Sequence, residues 1–276
     1  MTEKGASQLS IRKVAWVTDI HLEFLRTDEV EAFVNSLCRA RPDALLIGGD
    51  IGTSRNLVPY LDWIDQRLAC PVYLVLGNHD YYHGSIAGTR AEVAGWCGGS
   101  RRTKWLPEAG VVELSPNTCL IGHGGWGDGR CGDFLRSTVW LNDYAFIREF
   151  LGLSRKALLP KLNALGDETA AFLREVLPRA LERYREIIFL THAPPFREAC
   201  WHEGQLSDSE GTPHFVCAAA GEALREIMAR YQDRSMTVLC GHTHSGGVAQ
   251  ILDNLVAKTG AAAYGAPKIQ EFLSID

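Results

Sequence analysis

An α/β fold with parallel strands is predicted from the sequence, because short apolar segments alternate with amphipathic ones. In the first third of the 276-residue chain, apolar segments at 14–18, 44–47 and 72–76 indicate β-strands. Segments with helical periodicity separate these strands at 28–40 and 57–69. Alternation of strand and helix implies parallel strands that are joined by right-handed crossovers.

The two helices in this region are delimited by specific side chains. Asp28 is expected to cap the first helix, and Pro42 is expected to end it. Pro71 marks the end of the second helix. Apolar residues fall on one face of each helix, namely Val30, Phe33, Val34 and Leu37 in the first and Leu57, Leu61, Ile64 and Leu68 in the second.

The remainder of the chain is predicted to complete a single domain over residues 1–276. No internal repeat or low-complexity linker divides it. A largely helical stretch at 154–184 is expected to break or kink at Pro160, Gly166 and Pro178. The other predicted elements are strands at 111–114, 118–121, 187–190 and 237–240, a glycine-rich loop at 122–132, a helix at 221–231, and antiparallel tail strands at 248–252, 255–259 and 269–275.

Composition and charge limit which kinds of binding partner and which cellular compartment are expected. Hydrophobic residues make up 46% of the chain, and no apolar run reaches the roughly 18 residues of a membrane span, so no membrane partner is expected. The net charge is −5, and the densest basic cluster, 101–104, is interpreted as a solvated loop; both disfavour a nucleic-acid polymer. The N-terminal residues lack the layout of a signal peptide, and the eight cysteines form no C-x-x-C pair, so a reducing cytoplasm is expected. The sequence leaves the oligomeric state open.

Metal-ligand residue types follow five of the predicted strands. In an open α/β sheet, ligands bind outside the carboxyl ends of the strands, so these residues are expected to converge on one edge. The five clusters are Asp19-Ile20-His21, Gly48-Gly49-Asp50, Gly77-Asn78-His79-Asp80, Thr191-His192 and Gly241-His242-Thr243-His244.

The chemistry of these clusters points to a metal centre. Carboxylate and amide oxygens and imidazole nitrogens suit Mn, Fe, Zn, Co or Ni. A single Asp-x-His motif or a lone histidine is more often a turn or a core residue, but five clusters behind five strands are hard to explain in that way. Two divalent or transition metal ions are therefore predicted, held by Asp19, His21, Asp50, Asn78, His192, His242 and His244.

The order and number of these motifs resemble the signature of the calcineurin-like metallophosphoesterase superfamily. The motifs span residues 19–244. The resemblance implies a four-layer α/β/β/α sandwich with two mixed β-sheets. It also implies a division of the ligands, with Asp19, His21 and His244 on one metal, Asn78, His192 and His242 on the other, and Asp50 as the bridge.

The resemblance further implies hydrolysis of a small, soluble phosphate ester by a metal-bridging hydroxide. His79 is similar to the family's non-ligand histidine that meets the leaving group, and Asp80 is similar to its orienting partner. The second motif, Gly49-Asp50-Ile51-Gly52-Thr53, departs from the Gly-Asp-Tyr-Val-Asp-Arg-Gly of Ser/Thr protein phosphatases. The chain is more similar to the single-domain bacterial phosphohydrolases, which include cyclic-nucleotide phosphodiesterases. Monoester and diester cleavage are not separated.

Substrate contacts are predicted less directly. Trp126 and Arg130 can lie over the site, although a glycine-rich surface turn explains that loop equally well. One of the residues at 81–83, taken as Tyr81, is expected to border the pocket.

Two alternative classes of protein are considered. One is a catalytically silent, metal-bound scaffold that recruits partners, and the intact His79-Asp80 pair speaks against it. The other is a different metal hydrolase, such as an amidohydrolase or a metallo-β-lactamase relative. Those enzymes need an early His-x-His motif, whereas here the motif, at His242 and His244, comes last.

Overall fold

Two mixed β-sheets form the centre of the molecule. The structure is a computed structural model that describes residues 11–276. The strands are β1 Lys13–Val17, β2 Ala44–Gly48, β3 Val72–Val75, β4 Thr103–Trp105, β5 Val112–Glu113, β6 Thr118–Gly122, β7 Glu186–Leu190, β8 Trp201–His202, β9 Gln205–Leu206, β10 Ser235–Cys240, β11 Gly247–Leu252, β12 Leu255–Thr259 and β13 Glu271–Ser274. The α-helices are α1 Thr27–Ala40, α2 Leu57–Arg67, α3 Ile86–Gly99, α4 Leu106–Ala109, α5 Asp143–Phe146, α6 Arg155–Arg183, α7 Thr212–Phe215 and α8 Ala218–Met228.

The first sheet has the strand order β13-β1-β2-β3-β4, and the second has the order β11-β12-β10-β7-β6-β5. In the first sheet β1 to β4 are parallel, and only β13 is antiparallel to its neighbour. In the second sheet β12, β10, β7 and β6 are parallel, and the two edge strands are antiparallel. Strands β8 and β9 form a separate hairpin.

Three apolar clusters define four layers. Alternate residues of the two sheets, such as Trp16, Leu46 and Leu190, form the core between the sheets. The opposite faces of β1 to β3 pack against helices α1 and α2. The outer face of the second sheet packs against α6 and α8. The predicted α/β/β/α sandwich with two mixed sheets is therefore confirmed.

The structure corrects several predicted elements. Strands β1, β2 and β3 lie in one sheet, whereas β7 and β10 lie in the other, so the five ligand-bearing strands do not share one sheet edge. Helix α3 was not predicted, because its segment carries glycines at 88, 95, 98 and 99 and lacks a clear apolar stripe. The tail is not wholly antiparallel, since β12 runs parallel to β10.

Other corrections concern caps and breaks. Helix α1 begins at Thr27, where the Arg26 amide donates to Glu29, so Asp28 is not its cap. Helix α6 runs unbroken from Arg155 to Arg183 through Pro160 and Pro178. The basic cluster at 101–104 is not entirely a loop, because its last two residues belong to β4. Among residues 11–276, every helix is too short or too polar to cross a membrane.

Candidate metal centre

The predicted ligands meet where the two sheets face each other at the carboxyl ends of their strands. Backbone hydrogen bonds fix adjacent loops to one another: the Asp19 amide donates to Gly49 O at 3.0 Å, and the Gly241 amide donates to His192 O at 2.9 Å. Between the sheets, the His242 amide donates to Asp19 Oδ1 at 2.9 Å. The site is thus assembled by loops that are tied together across both sheets.

Left-handed backbone conformations concentrate in these loops. Such conformations are unfavourable for residues other than glycine and persist only where the surrounding structure imposes them. Eight non-glycine residues of the described chain have a positive φ, and five of these are predicted ligands. The five are Asp19 (φ 52°), His21 (φ 42°), Asp50 (φ 52°), His242 (φ 73°) and His244 (φ 58°).

Two glycines allow the carboxylates to come close to neighbouring loops. A Cβ at Gly77 would lie 2.1 Å from Asp50 Oδ1 and 2.7 Å from His192 Cε1. A Cβ at Gly241 would lie 2.0 Å from Asp19 Oδ2. All three distances are shorter than real contacts of a Cβ atom, so a side chain at either position would displace the adjacent carboxylate.

The first ligand group contains Asp19, His21, Asp50 and His244. Each of these residues offers a ligand atom, and the four atoms all lie within 4.8 Å of one another. The Nε2 atoms of His21 and His244 lie 3.1 Å apart, and His21 Nε2 lies 3.6 Å from Asp50 Oδ2. His244 Nε2 lies 3.4 Å from Asp19 Oδ1. Two imidazole nitrogens and two carboxylates thus converge on one small volume.

The second ligand group lies on the other side of Asp50. His192 Nε2 lies 2.9 Å from Asn78 Oδ1 and 3.5 Å from Asp50 Oδ1. The ring of His242 packs edge-on against that of His192, with the centroids 5.0 Å apart. Asp50 therefore turns Oδ1 towards one group of ligand candidates and Oδ2 towards the other.

The surroundings of the two carboxylates, Asp19 and Asp50, shift their pKa values in opposite directions. Burial, with the neighbouring charges of Asp19 and Asp80, raises the pKa of Asp50 well above its usual range. Burial by itself would also raise the pKa of Asp19, but nearby imidazoles, with His192 foremost, hold it below its ordinary value. A divalent cation between these groups would favour the ionised form of both carboxylates.

Burial favours the neutral form of three of the imidazoles, those of His21, His192 and His242. Burial lowers the pKa of His192 to about 4 and lowers the pKa of His21 and His242 as well. Neutral imidazole is the form that binds metals. His242 Nε2 is also buried and has no hydrogen-bond partner among the described residues. This orphaned nitrogen, on a ring that packs against His192, fits a metal ion as its missing partner.

A second set of residues orients the ligands. Asn78 Nδ2 donates to Asp143 Oδ1 at 2.8 Å, which leaves Asn78 Oδ1 facing His192. His192 Nδ1 lies 3.0 Å from the carbonyl oxygen of Gly48. His21 Nδ1 lies 3.2 Å from Glu23 Oε1. Such contacts fix the rotamer and tautomer of a metal ligand. Neither Asp143 nor Glu23 was predicted from the sequence.

His79 lies beside the ligands, but its partner differs from the predicted one. Its ring stacks on Tyr82 with the centroids 4.2 Å apart, and its Nδ1 lies 3.6 Å from Glu23 Oε1. The predicted pairing of His79 with Asp80 is wrong, because the Asp80 carboxylate is engaged elsewhere.

Asp80 instead organises the backbone of two ligand loops. Its carboxylate accepts hydrogen bonds from four amides at 2.8–3.0 Å, those of Asp50, Ile51, Gly52 and Gly77. Burial raises the pKa of Asp80 to about 7, and these amide contacts oppose the rise. Asp80 thereby joins the loop after β2 to the loop after β3.

The three predicted substrate contacts do not lie as expected. Tyr81 is buried, and its hydroxyl accepts a hydrogen bond from Arg90, so its neighbour Tyr82 is the residue that reaches the site. The Arg130 guanidinium turns away and binds Asp128 and Asp167. Trp126 is also buried, although it lines a small cavity behind the site together with Asn78, His192 and His242.

Two exposed aromatic residues beside the ligands were not predicted. Tyr264 lies against His21 and His244, with ring centroids 4.7 and 5.0 Å away, respectively. Phe24 lies 5.9 Å from His21. Tyr264 is remote from every motif in the sequence and carried no signal, whereas Phe24 follows the first motif by three residues.

The chain belongs to the calcineurin-like phosphoesterase family, whose model matches residues 12–246. The metal-ligand candidates all lie within this range. Members of this family are metal-dependent phosphoesterases, in agreement with the candidate cluster at the centre of the molecule.

Known relatives share the family over part of the sequence or the fold over most of it. A probable cyclic nucleotide phosphodiesterase from Pseudoalteromonas sp. (strain SM9913) is 33% identical over 81 residues, which is 25% of this chain and 31% of that protein's length. Phosphopantetheinyl hydrolase from Mycobacterium tuberculosis is 15% identical with a TM-score of 0.65, covering 93% of this chain and 91% of that one. A dimetal phosphatase from Danio rerio is 16% identical with a TM-score of 0.57, covering 94% and 90%. At these identities the two solved structures support the fold alone.

Proposed function

We propose that the protein is a dinuclear metal-dependent phosphoesterase. The observation that carries the proposal is the position of Asp50 between two groups of ligand candidates, with Oδ2 3.6 Å from His21 Nε2 and Oδ1 3.5 Å from His192 Nε2. A carboxylate that offers one oxygen to each side is suited to bridge two cations.

The remaining ligands divide by their distances. His244 and Asp19 join His21 on one side of Asp50, and Asn78 and His242 join His192 on the other. Mn, Fe, Zn, Co and Ni are all compatible with this set of nitrogen and oxygen donors. Two such ions, when bound, would supply positive charge for the phosphoryl oxygens and lower the pKa of a water molecule.

His79 is assigned the role of proton donor to the leaving group. Its half-buried ring is held between Tyr82 and Glu23 and lies next to His21, with the centroids of the two histidine rings 4.6 Å apart. From this position, protonated His79 would donate a proton to the departing alkoxide. Glu23 would orient the ring, which is the role that the family resemblance implied for Asp80.

The proposed substrate is a small, soluble phosphate ester. The geometry of the centre is compatible with both monoesters and diesters. The partial likeness to a probable cyclic nucleotide phosphodiesterase supports the inclusion of diesters among the substrates to be tested.

A rate panel on reconstituted protein tests this proposal. Purified protein is stripped with a chelator, reloaded with Mn²⁺, Fe²⁺, Zn²⁺, Co²⁺ or Ni²⁺, and assayed with bis-p-nitrophenyl phosphate, p-nitrophenyl phosphate and cyclic AMP. We expect no turnover in the stripped protein and hydrolysis of at least one ester after reloading. Absence of turnover with every metal and ester, in protein that has bound metal and is folded, would favour a metal-bound scaffold instead.

A further inference from the structure

An exposed pair of aromatic rings borders the metal centre. Phe24 and Tyr264 are each 54% exposed, and their ring centroids lie 4.6 Å apart. Phe24 ends the short 3₁₀ helix Leu22–Phe24 after β1, whereas Tyr264 lies between β12 and β13. Two large aromatic side chains from distant parts of the sequence therefore meet in solvent rather than in a core.

The aromatic pair lies close to residues that are proposed to act on the substrate, His21 and His79. Tyr264 covers one edge of His21, which has no exposed surface of its own. The ring of Tyr264 lies 6.3 Å from that of His79 and is inclined to it by 34°. The aromatic pair is thus on the same side of the centre as the residue assigned to the leaving group.

We propose that Phe24 and Tyr264 form a subsite for a planar, aromatic leaving group of the phosphate ester. This inference rests on the proposed function, because it uses His79 to define the side from which the alcohol departs. Aromatic faces stack on planar rings and bury apolar surface, whereas a small alkyl group gains little from them. The occupant is a part of the substrate rather than a macromolecule, because the Tyr264 ring that it would stack on lies directly against His21 and His244.

The proposal separates binding of the ring from binding of the phosphoryl group. The ligands and His79 contact the phosphoryl end of any ester, so they should serve aromatic and alkyl substrates alike. Only the aromatic pair should distinguish them. Substitution of Tyr264 or Phe24 is therefore expected to remove the preference for aromatic over alkyl esters, while binding of the phosphoryl group is retained.

Calorimetric titration of the metal-loaded protein with two non-hydrolysable phosphonates tests the inference. We expect 2-phenylethylphosphonate to bind about 10-fold or more tightly than ethylphosphonate, because stacking of one ring on an aromatic side chain contributes favourable binding free energy. Tyr264→Leu, which keeps an apolar cover over His21, and Phe24→Ala should each reduce this ratio towards one. Tyr264→Phe should keep it. Phe272→Ala, which removes an exposed aromatic ring at β13 that contacts Lys13, is the matched control and should also keep it.

The outcomes separate the subsite from the function on which it rests. Equal affinity of the native protein for both phosphonates, or an undiminished ratio in Tyr264→Leu and Phe24→Ala, would overturn the subsite but leave the phosphoesterase proposal intact. If neither phosphonate bound to metal-loaded protein, both proposals would fall. Metal content is measured in every variant, so that a changed ratio reports the rings rather than a lost ion.

Discussion

The side chain of Asn78 donates a hydrogen bond from Nδ2 to Oδ1 of Asp143 at 2.8 Å. This contact determines which end of the amide faces His192, since the carbonyl oxygen is left to point inward. Burial raises the pKa of Asp143, while the hydrogen bonds from Tyr82 and Asn78 oppose that rise. Asp143 therefore acts on the centre through Asn78, without being a ligand in either group.

The first prediction follows from this contact. Asp143→Ala should free the Asn78 amide to rotate and weaken one of the two metal ions by about 10- to 100-fold, as loss of an orienting partner typically does. Tyr82→Phe removes the second donor to Asp143 and a longer contact of 3.4 Å with Asn78 Nδ2 but leaves the Asn78–Asp143 hydrogen bond, so its effect should be smaller. Metal titrations of the two variants provide the measurement, and unchanged affinity in Asp143→Ala would contradict the orienting role.

The second prediction concerns Glu23, whose Oε1 faces Nδ1 of both His21 and His79. Glu23→Gln should lower both kcat and metal affinity, by about 10-fold or more. The reason is that Glu23 orients both His21, a metal-ligand candidate, and His79, the proposed acid. Glu31→Gln, at an exposed position of α1, is the control and should behave as the native protein. A Glu23→Gln variant with native kcat and metal affinity would show that the two histidines hold their positions without it.

The third prediction tests the proposed role of His79 as a proton donor by comparing esters whose leaving groups differ in acidity. His79→Asn should retain its metals but lose about 10²- to 10⁴-fold in rate with esters of alkyl alcohols. The loss should be smaller for p-nitrophenyl esters, since p-nitrophenolate departs without a proton. Rate ratios for the two kinds of ester give the answer, and equal losses on both would assign His79 to charge stabilisation instead.

The fourth prediction compares Asp50 with a terminal ligand. Asp50→Asn should abolish turnover and reduce the occupancy of both metals, because it removes negative charge from between the two groups of residues that would hold the cations. Asn78→Ala should weaken chiefly one metal. Parallel metal titrations decide between them, and two tightly bound ions with near-native activity in Asp50→Asn would require a different bridging residue.

The sequence predicted the parts of the site that directly follow strands. Asp19, Asp50 and His192 could be recognised because an apolar strand precedes each of them and parallel strands bring their carboxyl ends together. The presence of two sheets came only from the family resemblance, and the division of these strands between them was not predicted, since periodicity within a strand does not reveal which sheet it joins.

Residues that act through long-range contacts could not be recognised in this way. Asp143 lies 65 positions from Asn78 in a segment without regular periodicity. The family resemblance implied that Asp80 orients its neighbour His79, yet the turn directs the Asp80 carboxylate towards backbone amides. Arg130 was misassigned for a similar reason, because its partner Asp167 is on a helix whose position the sequence did not define.

The most direct test of the account is the number of metal ions that the folded protein binds. Stripped protein is reloaded with each candidate metal, desalted and subjected to elemental analysis, with circular dichroism recorded on the same sample. The account predicts about two transition-metal ions per chain for at least one metal, as expected of a two-metal centre. A folded protein that retained none of these ions would contradict it, whatever activity the sample displayed.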